Sequence, residues 1–207
     1  MFNQYLALTP ENADIAMVNV VLEDLKFIVI SLDQIFRGHA GEDYYNEEHT
    51  FYFYHLQNAL TSWGAVINML SSGSNRQTPR NVRARHLREV FGIDPSAYKW
   101  LFNKQFRNAG AHADERHDAF YGCAGDYNVI STKTPKWMRK EILTKPHIRT
   151  LDIQKWTYVT YDSRKQQICC DLQELRDEAY KLLYQISTHP RLRDARLTHV
   201  PTEELLK

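Results

Sequence analysis

Apolar residues recur at Ile15, Val18, Leu22, Leu25, Val29, Leu32 and Phe36, at spacings of 3-4-3-4-3-4. That period marks one buried helix face, so it predicts an amphipathic helix over about Asn12 to Phe36. A polar stretch with two glycines, Arg37 to Asn46, ends it. A second stripe, Phe53, Leu56, Leu60, Trp63, Ile67 and Leu70, repeats at 3-4-3-4-3 and predicts a helix from about Glu47 to Ser71. Each helix has one stripe to cover, and a short connection lets the two cover each other antiparallel.

Downstream, Ser71 to Gln77 reads as a loop. Thr78 and Pro79 supply an N-cap and first helical residue for a short helix that Gly92 closes after Phe91. Asp94 and Pro95 repeat that signal and predict a longer helical segment to about Tyr121, with Phe102, Phe106, Ala109, Ala113 and Phe120 on one stripe. Past Gly122, Pro135, Pro146 and scattered polar residues read as irregular structure. Trp156 to Tyr161 and Gln166 to Cys170, rich in β-formers, read as a hairpin. A last helix begins at Asp171, with Glu174 placed for a capping box. Its stripe is Leu172, Leu175, Ala179, Leu182 and Ile186, and it stops before Pro190. The expected fold is mainly α: a helical bundle of two long antiparallel helices plus shorter ones, with a small β-hairpin. Residues 1–207 are expected to form a single domain, with an irregular and hairpin insertion at about 123–170 and a polar tail at about 190–207.

The net charge is +1, so overall charge gives no argument for a nucleic-acid partner, and any such argument rests on local clustering. The opening Met-Phe-Asn-Gln-Tyr-Leu has no basic region followed by an apolar stretch. The longest apolar run, Phe27 to Leu32, is broken by Ser31 and is too short to span a bilayer. Cys123, Cys169 and Cys170 offer neither a disulfide framework nor a C-x-x-C zinc spacing. The expectation is a cytoplasmic protein with no membrane partner, no metal and no cofactor.

Chemistry concentrates in Phe106 to Phe120, Phe-Arg-Asn-Ala-Gly-Ala-His-Ala-Asp-Glu-Arg-His-Asp-Ala-Phe. On a helical wheel with Asn108 at zero, His112 falls at about 40°, Glu115 at about −20° and Arg107 at about −100°, all away from the phenylalanine stripe. Ala111 leaves room for a ligand, or a second copy of the helix, to approach, and Gly110 suggests a bend or close contact. Histidine is the side chain that exchanges a proton near neutrality. Arginine presents a planar fork of donors to a phosphate. An asparagine orients either. A base, a phosphate clamp and an orienting amide are the set required for RNA cleavage by the neighbouring 2′-hydroxyl. Arg107, Asn108 and His112 are therefore the candidate catalytic residues.

Arg107-Asn108-x-x-x-His112 resembles the signature of HEPN domains (higher eukaryotes and prokaryotes nucleotide-binding), R-N-x-x-x-H within R-x(4–6)-H. The continuation Asp114-Glu115-Arg116 is similar to a subgroup that runs on in D-E-R, with Ala111 standing where that subgroup carries an acidic residue. The resemblance implies a helical bundle that dimerises so that two motif copies meet. It also implies metal-independent endoribonuclease activity, leaving a 2′,3′-cyclic phosphate and a 5′-hydroxyl. Many members serve in toxin–antitoxin or phage-defence systems, which implies an antitoxin or regulatory partner. Other members are non-catalytic and bind RNA, a nucleotide or a protein partner. Ala111 and the near-zero net charge favour that alternative.

The spacing alone is weak. With 15 arginines and 9 histidines in the chain, random placement produces R-x(4–6)-H about twice. Arg80-Asn81 with His86 matches, and so does Arg193 with His199, without the asparagine. Arg193 lies between Pro190 and Pro201 in the expected tail. Arg80 sits in a first helical turn, where the dipole disfavours a cation, and lacks the D-E-R continuation. The Arg107 copy is preferred. The substrate-binding candidates are Glu115 and Arg116, together with Arg83 and Arg85 from the cluster Arg76, Arg80, Arg83, Arg85 and Arg88. Their plainer reading is a solvated helix face with ordinary salt bridges. His112 and His117 point about 140° apart on the wheel, unlike a metal-binding pair.

Overall fold

The 3-4 stripes fold into two long helices, α1 (Pro10–Arg37) and α2 (Tyr45–Leu70), in a computed structural model of the chain. It describes residues 10–38, 45–71, 77–103, 105–106, 127–131, 134–144, 149–161 and 166–194. Val18, Leu25 and Leu32 of the first stripe are fully buried, and so are Val21, Ile28 and Ile35, which widen the packed face. Asp24 of α1 hydrogen-bonds Ser62 of α2, while Gly38 lies beside the hydroxyl of Tyr52, so the helices run antiparallel. Gly38 takes φ +77°, a left-handed conformation that glycine adopts freely, and its N–H meets the carbonyls of Gln34 and Ile35.

On α2, His55 lies edge-on to Phe51 at 4.6 Å and to Tyr54 at 5.2 Å. Burial pushes its imidazole below the ordinary value of 6.5. The unfolded chain therefore takes up this proton first. The contribution is full above the ordinary value and is lost as the pH falls through it toward the lowered native one. Urea midpoints measured between about pH 5 and 8 should fall more on the acid side for the native chain than for His55→Gln.

The third helix, α3 (Pro79–Phe91), begins and ends as its sequence predicts. Thr78 accepts from the N–H of Asn81, and Gly92 turns left-handed at φ +63° while Ile93 N–H reaches the Arg88 carbonyl at 2.8 Å. The expected continuous helix from Pro95 is not formed. Asp94 caps only a single 3-10 turn, Pro95–Ala97, after which Tyr98 is extended. Residues 105–106 are helical again, and 107–126 lie outside the described residues.

The region read as irregular contains a four-stranded sheet. Its strands are β1 (Tyr127–Ile130), β2 (Arg149–Asp152), β3 (Thr157–Tyr161) and β4 (Gln167–Asp171), in the order 1-2-3-4. The hairpin β3–β4 is present, with Tyr158 opposite Cys170. It is extended by β2 antiparallel to β3 and by β1 parallel to β2, Val129 opposite Leu151. A parallel pair needs a crossover, which is helix α4 (Lys136–Thr144). Strands of four residues carry too little alternation to be read from sequence, and all four positions of β2 are buried.

Val129, Leu151, Tyr158 and Cys170 face the helices and join their core. Asp152, the residue after Leu151, points to the other face, where Arg139 of α4 meets it at 3.6 Å. Ile130 and Ile142 are buried outside the main cluster. The sheet is thus layered between the long helices and α4. Cys169 is exposed beside buried Cys170, as alternation along a strand requires.

Helix α5 (Leu172–Ser187) packs its predicted stripe against α1, and Arg176 reaches Asp33 at 3.0 Å. Asp171 caps it by accepting from Gln173 and Glu174. The reciprocal half of the expected capping box is absent, because Glu174 is engaged elsewhere, as described below. The expected tail also starts later than Pro190. Pro190–Asp194 form a short helix, α6, and Leu192 is buried. Among the described residues, the chain is mostly helical with a small sheet, and no helix is long and apolar enough to cross a membrane.

Candidate functional site: the seat of the Arg107 segment

Arg107, Asn108, His112, Glu115 and Arg116 all lie outside the described residues. The residues that lead into them are described. Asn103 accepts the N–H of Gln105 at 3.0 Å, a side-chain cap at the entry to the helical pair 105–106. Phe106, the residue before Arg107, is 3% exposed. Its ring stacks on Trp63 at 5.6 Å, meets Trp100 edge-on at 5.7 Å and lies 6.4 Å from Tyr158. Trp63, itself in the core, donates its indole N–H to the Leu101 carbonyl at 2.9 Å. One anchor thus gathers α2, the 98–103 segment and the sheet.

What interrupts the helix before this anchor is a carboxylate from α5. One Glu178 oxygen accepts the N–H of Lys99 at 2.7 Å, and the other accepts those of Trp100 at 2.9 Å and Leu101 at 2.8 Å. Three successive backbone donors pointing at one anion form a nest, and a helix through 99–101 would have pointed them back along its own axis. One turn earlier, Glu174 binds Lys99 Nζ and the Trp100 indole N–H, and these bonds hold its carboxyl below the usual carboxylate range. Gln185 completes the junction, donating to the carbonyls of Phe91 and Gly92 and accepting from the Tyr98 hydroxyl.

Sequence reading missed Glu178 and Gln185, and it gave Glu174 a capping role instead of these partners. The one available signal is the like-charged pair Glu174 and Glu178 at i,i+4, which weakens an isolated helix unless donors elsewhere meet it. Glu178→Ala should cost about 3 kcal/mol, given charge-assisted bonds to three backbone donors. Glu178→Gln should be nearly as damaging despite equal size, because its amide turns donors toward the N–H groups. Urea unfolding that left the glutamine variant within about 0.5 kcal/mol of the native chain would rule out the nest.

The second copy of the spacing has other partners. His86 Nε2 meets Asp14 Oδ2 of α1 at 2.8 Å, Arg80 binds the Asn68 side chain at 2.7 Å and its carbonyl at 3.3 Å, and Asn81 is buried. Arg88 donates to the Leu70 carbonyl at 2.9 Å. Helix α2 has no basic residue in its own last turn, so two α3 arginines meet its terminal carbonyls. The basic cluster is therefore partly a helix cap. Arg85 is exposed, and Arg83 is half-buried with Nε meeting no hydrogen-bond partner among the described residues. Arg76 lies outside them. No group of three or more His, Cys, Asp or Glu among the described residues is arranged to hold a metal ion. No protein-family model, curated protein or solved structure matches this chain.

Proposed function

We propose that this chain is a HEPN-like, metal-independent endoribonuclease. The observation that carries the reading is the Arg107-Asn108-x-x-x-His112 segment, which begins at the residue after a buried anchor. The mostly helical chain with two long antiparallel helices is compatible with the helical bundle of that family. Arg107 binds the scissile phosphate, and Asn108 orients the pair. His112 takes the proton of the 2′-hydroxyl as O2′ bonds to phosphorus. The P–O5′ bond breaks, and the departing O5′ receives a proton from a second His112 across the two-fold axis of a homodimer. Glu115, Arg116, Arg83 and Arg85 line the path of the strand. The cytoplasm is the expected setting, with an antitoxin or regulatory protein as partner.

A non-catalytic module that binds RNA, a nucleotide or a protein is the second reading, and Ala111 favours it. Purified chain incubated with end-labelled single-stranded RNA in EDTA separates the two. The enzyme reading expects fragments ending in a 2′,3′-cyclic phosphate and a 5′-hydroxyl, with a dimer in sedimentation. Intact RNA bound by a monomer would favour the module.

A further inference from the structure

Charge is unevenly spread along this chain. Between 131 and 148 stand Lys133, Lys136, Arg139, Lys140 and Lys145 against a single acid, Glu141, a net of +4 in a chain whose total is +1. Within this run lies α4, and at its second position stands Trp137, 66% exposed, the most exposed of the large hydrophobic side chains described.

The helix that displays it is fastened. Arg139 binds Gln154 and Asp152, and Ile142 is buried. The turn gripped by Arg139 also carries exposed Lys155. Lys136 and Lys140, both exposed, are one helical turn apart, a like-charged pair that weakens an isolated helix. The bare indole gains nothing from water in the free protein. A ligand that is flat, apolar on its face and anionic along its edge matches the indole and the basic residues beside it.

We propose that the outer face of α4 is a binding site for single-stranded RNA, with a base stacked on Trp137 and flanking phosphates on Lys136 and Lys140. Bases stack on aromatic side chains largely without regard to sequence, and a basic surface tracks the backbone. A lipid surface fits less well. A helix lying in a bilayer interface needs an exposed apolar face several residues long, and among the described side chains of this helix only Trp137 is a large exposed apolar group, Met138 being half-buried and Ile142 buried. The site shares with the reading above only the choice of RNA as partner. It lies on the side of the sheet away from α1 and α2.

The test is fluorescence anisotropy of a labelled 2′-O-methyl oligouridylate of about a dozen nucleotides, a length suited to single-strand sites. Lacking a free 2′-hydroxyl, it cannot be cleaved by the proposed chemistry, so binding is read whether or not the chain is a ribonuclease. Trp137→Ala is expected to weaken binding about tenfold and Trp137→Tyr by no more than about threefold. Neutralising Lys136 and Lys140 to glutamine should lower the slope of log affinity against log salt by about 1.4, two phosphates' worth on a single strand. Circular dichroism should show each variant folded. Equal affinity in Trp137→Ala, or no binding by the native chain, would overturn the proposal. So would Trp137-dependent binding to phosphatidylserine vesicles with none to the oligonucleotide.

Discussion

His112→Ala is expected to slow RNA cleavage by about 10²- to 10⁴-fold, the usual contribution of a positioned acid or base, without lowering the melting temperature. His86→Ala should do the reverse. That residue belongs to the look-alike spacing on α3, and its ring holds Asp14, whose side chain is only 11% exposed, at 2.8 Å. Removing it leaves a largely buried carboxylate short of a partner, at a cost of about 1–2 kcal/mol, while cleavage at a temperature where the variant is folded stays near native. The two substitutions thus cross over, one in rate and the other in stability. Cleavage lost in His86→Ala and kept in His112→Ala would move the site to α3 and end the assignment to Arg107, Asn108 and His112.

Phe106→Ala is expected to cost about 3–5 kcal/mol, as for other buried phenylalanines, because the ring fills the space between Trp63, Trp100 and Tyr158 and little around it can collapse. In a chain of this size that lowers the melting temperature by roughly 10 °C. Phe106→Leu, which keeps much of the volume, should cost about 1.5 kcal/mol or less. The effect on rate is separable. If the anchor fixes where Arg107 begins, the alanine variant loses cleavage by at least about tenfold even where circular dichroism shows it folded, since small misplacements of catalytic groups are costly. A variant with native stability would show that the aromatic cluster does not seat this segment.

The long helices were legible because their stripes run over seven and six positions, enough to establish a period. The caps of α3 were legible because the Thr78 hydroxyl, Pro79 and Gly92 each act within one turn of their own position. The segment at 98–103 was not. Asp94-Pro95 is a sound start signal, and it does start a turn. What ends that turn is the carboxylate of Glu178, nearly 80 residues away in sequence, taking the N–H groups a helix would have used. Likewise the spacing of Arg80-Asn81 with His86 does not reveal its partners, because Asp14 and Asn68 come from other helices. Nor does the basic cluster show in sequence that Arg80 and Arg88 give donors to the end of α2. Trp137 was overlooked because exposure, rather than type or spacing, is what makes it unusual.

The packing of α5 on α1 also sets an order of events. Arg176 and Asp33 are 143 residues apart. At ribosomal speeds of about 5–20 residues per second, roughly 7–30 s separate the synthesis of one from that of the other. During that interval α1 can close against α2, which follows it at once, but the flank reserved for α5 stays open to water and to other chains. Helix α1 is therefore made well before its cover is complete. A chaperone that shields apolar helix flanks would find its target on α1, and only until Leu183 and Ile186 arrive.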